Sequence, residues 1–228
     1  MGLATQVLSP MPELLSYWLD AHHAQALLRF INESIAEMAT ESQGQLIGLA
    51  GVPLQSMDLA LQELDYAINS LGMKGVELGS RINGTPLSDP SFFEACVSLN
   101  VPIFVHALKP TGMECLVGPK NLQQVLAYPS DVGLAAAATI TGNLLMDLPE
   151  LKLAFSHGGG TFASLLPRLQ QGWLTFPAIA DSMPVSPLEQ AQRLFFDSLV
   201  FDSQTLRHLV TKFGAKQMMV GTDYPFNF

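Results

Sequence analysis

Cysteine is nearly absent. Only Cys96 and Cys115 occur in 228 residues, in no CxxC or zinc-ribbon spacing, which excludes a disulfide framework and a thiolate metal cluster. Both read as reduced structural thiols, and with them the compartment reads as cytoplasmic. Basic residues are also scarce: eleven Lys and Arg stand against twenty Asp and Glu, a formal net charge of −9. Nucleic-acid binding relies on clustered cations that such a chain cannot easily assemble, so no nucleic-acid partner is expected. An anionic small substrate would need a local cationic site. No apolar run reaches the roughly 18 residues of a membrane span. The opening Met1-Gly2-Leu3-Ala4-Thr5-Gln6 lacks the basic region and apolar core of a signal peptide, so neither membrane nor export is expected. What the chain does have is apolar content, 48% against 14% charged, enough to bury a large core in one domain spanning residues 1–228.

Strand and helix patterns alternate along it. Strands are expected over residues 3–9, 46–50, 75–79, 101–106, 152–157, 194–199 and 217–221, nearly all apolar on both faces. Between them the spacing predicts helices over about 13–43, 57–71, 89–99, 135–148, 162–173 and 202–214. Gly72 supplies a stop, and Asp89-Pro90 and Asp202 supply starts. The loop 108–120 is too long for a simple connector. Parallel strands covered by helices follow, in a (β/α)8 barrel or an open doubly wound sheet.

Three of these strands end in a polar group: Phe104-Val105-His106, Phe155-Ser156-His157 and Gly221-Thr222-Asp223. In a barrel, catalytic groups project from the C-terminal strand ends. His22, His23 and His208 lie on helices and read as surface residues. Glu77 reads as a buried, paired carboxylate, and Arg81-Ile82-Asn83 as a solvated loop.

The segments Phe104-Val105-His106, Phe155-Ser156-His157-Gly158-Gly159-Gly160-Thr161-Phe162 and Gly221-Thr222-Asp223-Tyr224-Pro225-Phe226 resemble the amidohydrolase superfamily, in the branch related to 2-amino-3-carboxymuconate-6-semialdehyde decarboxylase. Weaker similarity runs through Ser16-Tyr17-Trp18 and Gly48-Leu49-Ala50-Gly51-Val52-Pro53-Leu54-Gln55. The resemblance implies a TIM-type barrel and a divalent metal, zinc in most members. It makes His106 and Asp223 metal ligands, His157 the catalytic residue that handles protons, and Asp223 a catalytic group as well. It makes Arg168 a substrate-carboxylate group acting across a homodimer; a snorkelling surface arginine is the alternative. Zinc suits such ligands and activates bound water, and an imidazole beside it can shuttle protons near neutral pH. Phe176 stands where the family has a second arginine, and Ala107-Leu108 where it has Pro-Trp, which counts against carboxymuconate semialdehyde as the substrate.

The family's His-x-His on its first strand occurs nowhere in this sequence. The expectation is therefore an incomplete barrel of seven of the eight strands, truncated at both ends, with two unpaired edges and low metal occupancy or none. The function expected is a metal-dependent decarboxylase acting on a small unsaturated or aromatic carboxylate. A hydrolase of a small amide, ester or lactone is the alternative, and a catalytically incompetent fragment the further one.

Overall fold

The structure, a computed structural model, describes residues 4–87 and 89–226. Seven strands form one sheet in chain order, every pair parallel: β1 Gln6–Leu8, β2 Leu46–Gly51, β3 Gly75–Gly79, β6 Ile103–His106, β7 Leu153–Phe155, β8 Phe195–Asp197 and β9 Met218–Met219. A small antiparallel hairpin, β4 Arg81–Ile82 with β5 Thr85–Pro86, occupies the loop after β3. Among the described residues β1 and β9 do not pair, so the sheet is an unclosed barrel, as the seven-strand reading required.

Register decides which residues share a face. Glu77 lies opposite Phe104, and Gly79 opposite His106, so Glu77 and His106 stand on the same side of the sheet. Val76, Leu78, Ile103, Val105, Phe155 and Phe196 point the other way and are buried. Helices cover that outer face. Phe162 on α6 (Phe162–Thr175) and Phe213 on α9 (Ser203–Phe213) stack against Phe196, with ring centroids 6.2 and 4.3 Å away. Full burial of one such ring is worth about 3 kcal/mol.

The helix expected over 13–43 is broken. A 3-10 turn, Pro12–Leu15, ends at Ser16 in the left-handed region, and α1 (Ala21–Glu41) begins afresh at Asp20, whose carboxylate accepts the N–H groups of His22 and His23. The break lets Tyr17 enter the core, where its hydroxyl accepts the Gly79 N–H at 3.2 Å. Helical spacing was present on both sides of Ser16, and tertiary burial of Tyr17 overrode it. The helix expected at 135–148 starts earlier, as α4 (Tyr128–Thr141) with Pro129 in its first turn. The remaining helices are α2 (Met57–Asp65), α3 (Pro90–Ser98), α5 (Leu144–Asp147), α7 (Pro177–Ser182) and α8 (Pro187–Ala191). None among the described residues is long and apolar enough to cross a membrane.

Buried polar bridges set the loops. Asp131 on α4 accepts from Ser80, from Arg81 Nε at 2.8 Å and from Thr111, tying the β3 and β6 loops to one helix. Asn83 donates to the Tyr17 carbonyl at 2.7 Å. The Arg81-Ile82-Asn83 segment is therefore anchored rather than freely solvated.

Candidate active site

A cavity of about 740 Å³ opens at the C-terminal strand ends. His106, His157 and Asp223 all line it. The same wall carries Glu13 after β1, Gln124 and Tyr128 from the β6 loop and the start of α4, and Thr205 on α9; Pro12, Val125, Leu199, Val200 and Phe226 make it largely apolar. No Lys or Arg lines it among the described residues.

His106 closes β6. Its Nδ1 lies 3.1 Å from the Ala107 carbonyl, and a carbonyl only accepts, so Nδ1 carries the proton and Nε2 keeps its lone pair. The His157 ring stands edge-on to it, centroids 4.8 Å apart and planes at 72°. Burial pushes the pKa of His106 down, and the neighbouring His157 adds to the effect. Burial also lowers His157, with Asp223 opposing. Both imidazoles are therefore neutral at pH 7, where they can accept a proton or offer a lone pair.

His157 sits in a strained turn. It has φ 55° and Gly158 has φ 62°, and Ser156 Oγ lies 3.4 Å from His157 Nδ1. Asp197, at the end of β8, receives the His157 and Gly158 N–H groups at 3.0 and 2.7 Å and that of Leu199 at 3.0 Å. Burial raises the Asp197 pKa despite these three donors. This residue was not singled out in the sequence, although Phe195-Phe196-Asp197 has the same apolar-run-to-polar form as the strand ends that were.

Asp223 follows β9 with φ 51° and is half-buried. His106 and Asp223 are ligand types that suit a divalent metal. Among the described residues, however, no group of three or more His, Cys, Asp and Glu side chains is placed to hold one. The donor set is thus short of a catalytic metal's usual three protein ligands.

Arg168 is not brought to this cavity. It is exposed on α6 and borders a separate groove with Leu165, Gly172 and Phe176. Glu77 is buried as expected and its carboxylate is hydrogen-bonded with Ser9, while its Oε1 has no hydrogen-bond partner among the described residues. His22, His23 and His208 are exposed as expected. Cys96 is buried and Cys115 exposed, both unpaired.

The parallel sheet and its strand-end histidines define the class. The amidohydrolase family model matches residues 8–227, and the chain belongs to that family. Among curated proteins it is similar to 2-amino-3-carboxymuconate-6-semialdehyde decarboxylase of Dictyostelium discoideum, 35% identical over 226 residues that cover 97% of this chain and 62% of that protein. The chain thus spans about three fifths of that relative's length. Among solved structures it resembles apo Metarhizium anisopliae IDCase, with TM-score 0.88, 21% identity, and 98% and 63% of the two chains covered. It also resembles dihydroxybenzoic acid decarboxylase from Polaromonas with bound manganese and 2-nitroresorcinol, with TM-score 0.75, 21% identity, and 99% and 69% covered. At these identities the two structures speak for the fold.

Proposed function

We propose that this chain acts as a decarboxylase, a carbon–carbon lyase, on a small aromatic or unsaturated carboxylate. The observation that carries the reading is the convergence of His106, His157 and Asp223 from three strand ends on one cavity. The decarboxylase relatives support it.

In this reading the substrate lies against the apolar wall with its carboxylate-bearing carbon near His157. The neutral His157 first takes a proton from solvent. The imidazolium then delivers it to that carbon, the bond to the carboxylate breaks, its electron pair returns to the unsaturated system, carbon dioxide leaves, and the imidazole is neutral again. The net change is one proton taken up and one carbon dioxide released. His106 and Asp223 are the donors this chain offers a divalent metal; zinc suits their chemistry, and manganese in the Polaromonas relative supports a divalent ion. Such an ion would supply positive charge for the carboxylate in a cavity that has no cationic side chain among the described residues. Arg168, exposed and remote from its own chain's cavity, would serve a second copy in a homodimer. The unpaired thiols favour the cytoplasm.

The test is carbon dioxide release across a panel of benzoates and unsaturated carboxylates, run beside lactones, esters and amides. His157→Gln should lower turnover of the best carboxylate by about 10²- to 10⁴-fold while leaving the fold intact. Hydrolysis without carbon dioxide release would overturn the assignment. The short donor set favours one second reading, in which this chain binds carboxylates without turning them over. In that case binding survives, and no carbon dioxide appears with added zinc or manganese.

A further inference from the structure

We propose that Glu13 is a specificity-determining residue of this cavity, the acceptor for an O–H or N–H substituent on the substrate, and that Tyr128 positions it. The inference rests on the cavity being a carboxylate-substrate site.

Glu13 stands on the Pro12–Leu15 turn directly after β1, and Tyr128 opens α4, 115 residues away in sequence. Both side chains line the cavity. Tyr128 Oη donates to Glu13 Oε1 at 3.1 Å and accepts from Gln123 Nε2 at 3.1 Å. The hydroxyl has one proton and has committed it, so Tyr128 offers a ligand no donor. Burial and the adjacent Glu13 hold the Tyr128 pKa up, which keeps that proton in place. Glu13 Oε2 makes no hydrogen bond among the described residues and remains an available acceptor.

Charge sharpens the selection. The cavity holds two carboxylates, Glu13 and Asp223, and two imidazoles that burial keeps neutral. A bare anion placed against Glu13 is repelled. A ring whose carboxylate faces His106 and His157, and whose edge turned to Glu13 carries a hydroxyl or amino group, converts that repulsion into a charge-assisted hydrogen bond. The cavity has room for a substituted ring.

The experiment pairs ring isomers of hydroxybenzoate with the corresponding methoxybenzoates, which keep the oxygen and lose the donor. Binding is measured by calorimetry, and carbon dioxide release is followed in parallel. Wild type should bind at least one hydroxy isomer about tenfold more tightly than its methoxy partner. In Glu13→Leu that ratio should collapse toward one. Glu13→Gln, which keeps an acceptor oxygen, should retain part of it, and Tyr128→Phe should reduce it part way. Glu13 is solvent-exposed, so melting temperatures near wild type are expected and show that the variants fold. An unchanged ratio in Glu13→Leu, absence of any wild-type preference, or no binding of either series overturns the proposal. A donor preference that depends on Glu13 but comes without carbon dioxide from any ligand supports it, while counting against the decarboxylase reading.

Discussion

Asp197 holds His157 by its backbone rather than by its ring. The carboxylate takes the His157 N–H on one oxygen and the Gly158 and Leu199 N–H groups on the other, spanning the loops after β7 and β8. That grip secures two successive residues at positive φ, a conformation a non-glycine residue such as His157 adopts only at a cost. The imidazole is aimed by a turn, and the turn is held from the neighbouring strand.

Asp197→Ala should therefore damage both stability and function. It leaves three N–H groups without their acceptor in a site where Asp197 is only 6% exposed. The expected loss is about 3 kcal/mol or more in urea unfolding, with turnover falling further than the loss of folded protein explains. Asp197→Asn, which keeps one acceptor oxygen, should fall between. Wild-type stability in Asp197→Ala would show that the turn holds itself.

Gly160 makes a sharper case. A Cβ there would lie 1.8 Å from the Pro129 carbonyl oxygen, which receives the Thr161 N–H at 3.1 Å, and the residue has φ +55°. Backbone cannot give way as a side-chain tip can. Gly160→Ala should cost about 3 kcal/mol or more, whereas Gly112→Ala, in the left-handed region at φ +80° with nothing within 4 Å, should cost only about 1 kcal/mol of conformational strain. Equal losses in thermal or urea unfolding would place the cost in backbone conformation alone.

Metal binding by this chain should be weak. Two donors, His106 and Asp223, share the cavity without a third protein ligand among the described residues. Zinc or manganese added in millimolar excess should raise the melting temperature modestly, and chelator should reverse the shift completely. His106→Ala and Asp223→Asn should each abolish it. Stoichiometric zinc that survives dialysis against chelator would contradict this account of the donor set.

Much of this was legible in the sequence, because a buried parallel strand advertises itself as an apolar run and a barrel puts function where the run ends. His106, His157 and Asp223 were found that way, and the Asp89 and Asp202 helix starts by capping chemistry; both side chains do cap. The unclosed seven-strand sheet followed from family resemblance and the missing His-x-His. What escaped depends on distant partners. Nothing near Ser16 announces that Tyr17 must reach Gly79 and break a helix. Nothing near Glu13 announces Tyr128. The unpaired state of Glu77 Oε1 is set by what β1 and β9 bring near it, a fact of assembly rather than of local pattern.

Glu77 gives the last prediction. It lies on the inner side of β3, 1% exposed, with Oε1 unpartnered. Burial is the main cause that pushes its pKa up to about 8; a hydrogen bond with Ser9 opposes the shift, and the charges of Glu13 and Asp223 add to it. An unfolded chain releases this proton near the ordinary 4.5, so between about 4.5 and 8 the folded state binds more protons than the unfolded one. Its contribution to stability is therefore full below pH 4.5, is lost as pH rises through that window, and changes no further above 8. His106 and His157 act in the opposite sense: their lowered pKa values make stability fall as pH drops below about 6.5. Comparing Glu77→Gln with wild type removes the histidine contribution, since both proteins share it. Glutamine cannot ionise, so the variant's stability relative to wild type should climb by about 3 kcal/mol between pH 5 and pH 8 and then level off. Urea unfolding at half-unit pH steps reads this directly. A difference that stays constant across the range would mean that Glu77 is already ionised in the folded protein, held by a donor that the hydrogen-bond pattern around Oε1 does not contain.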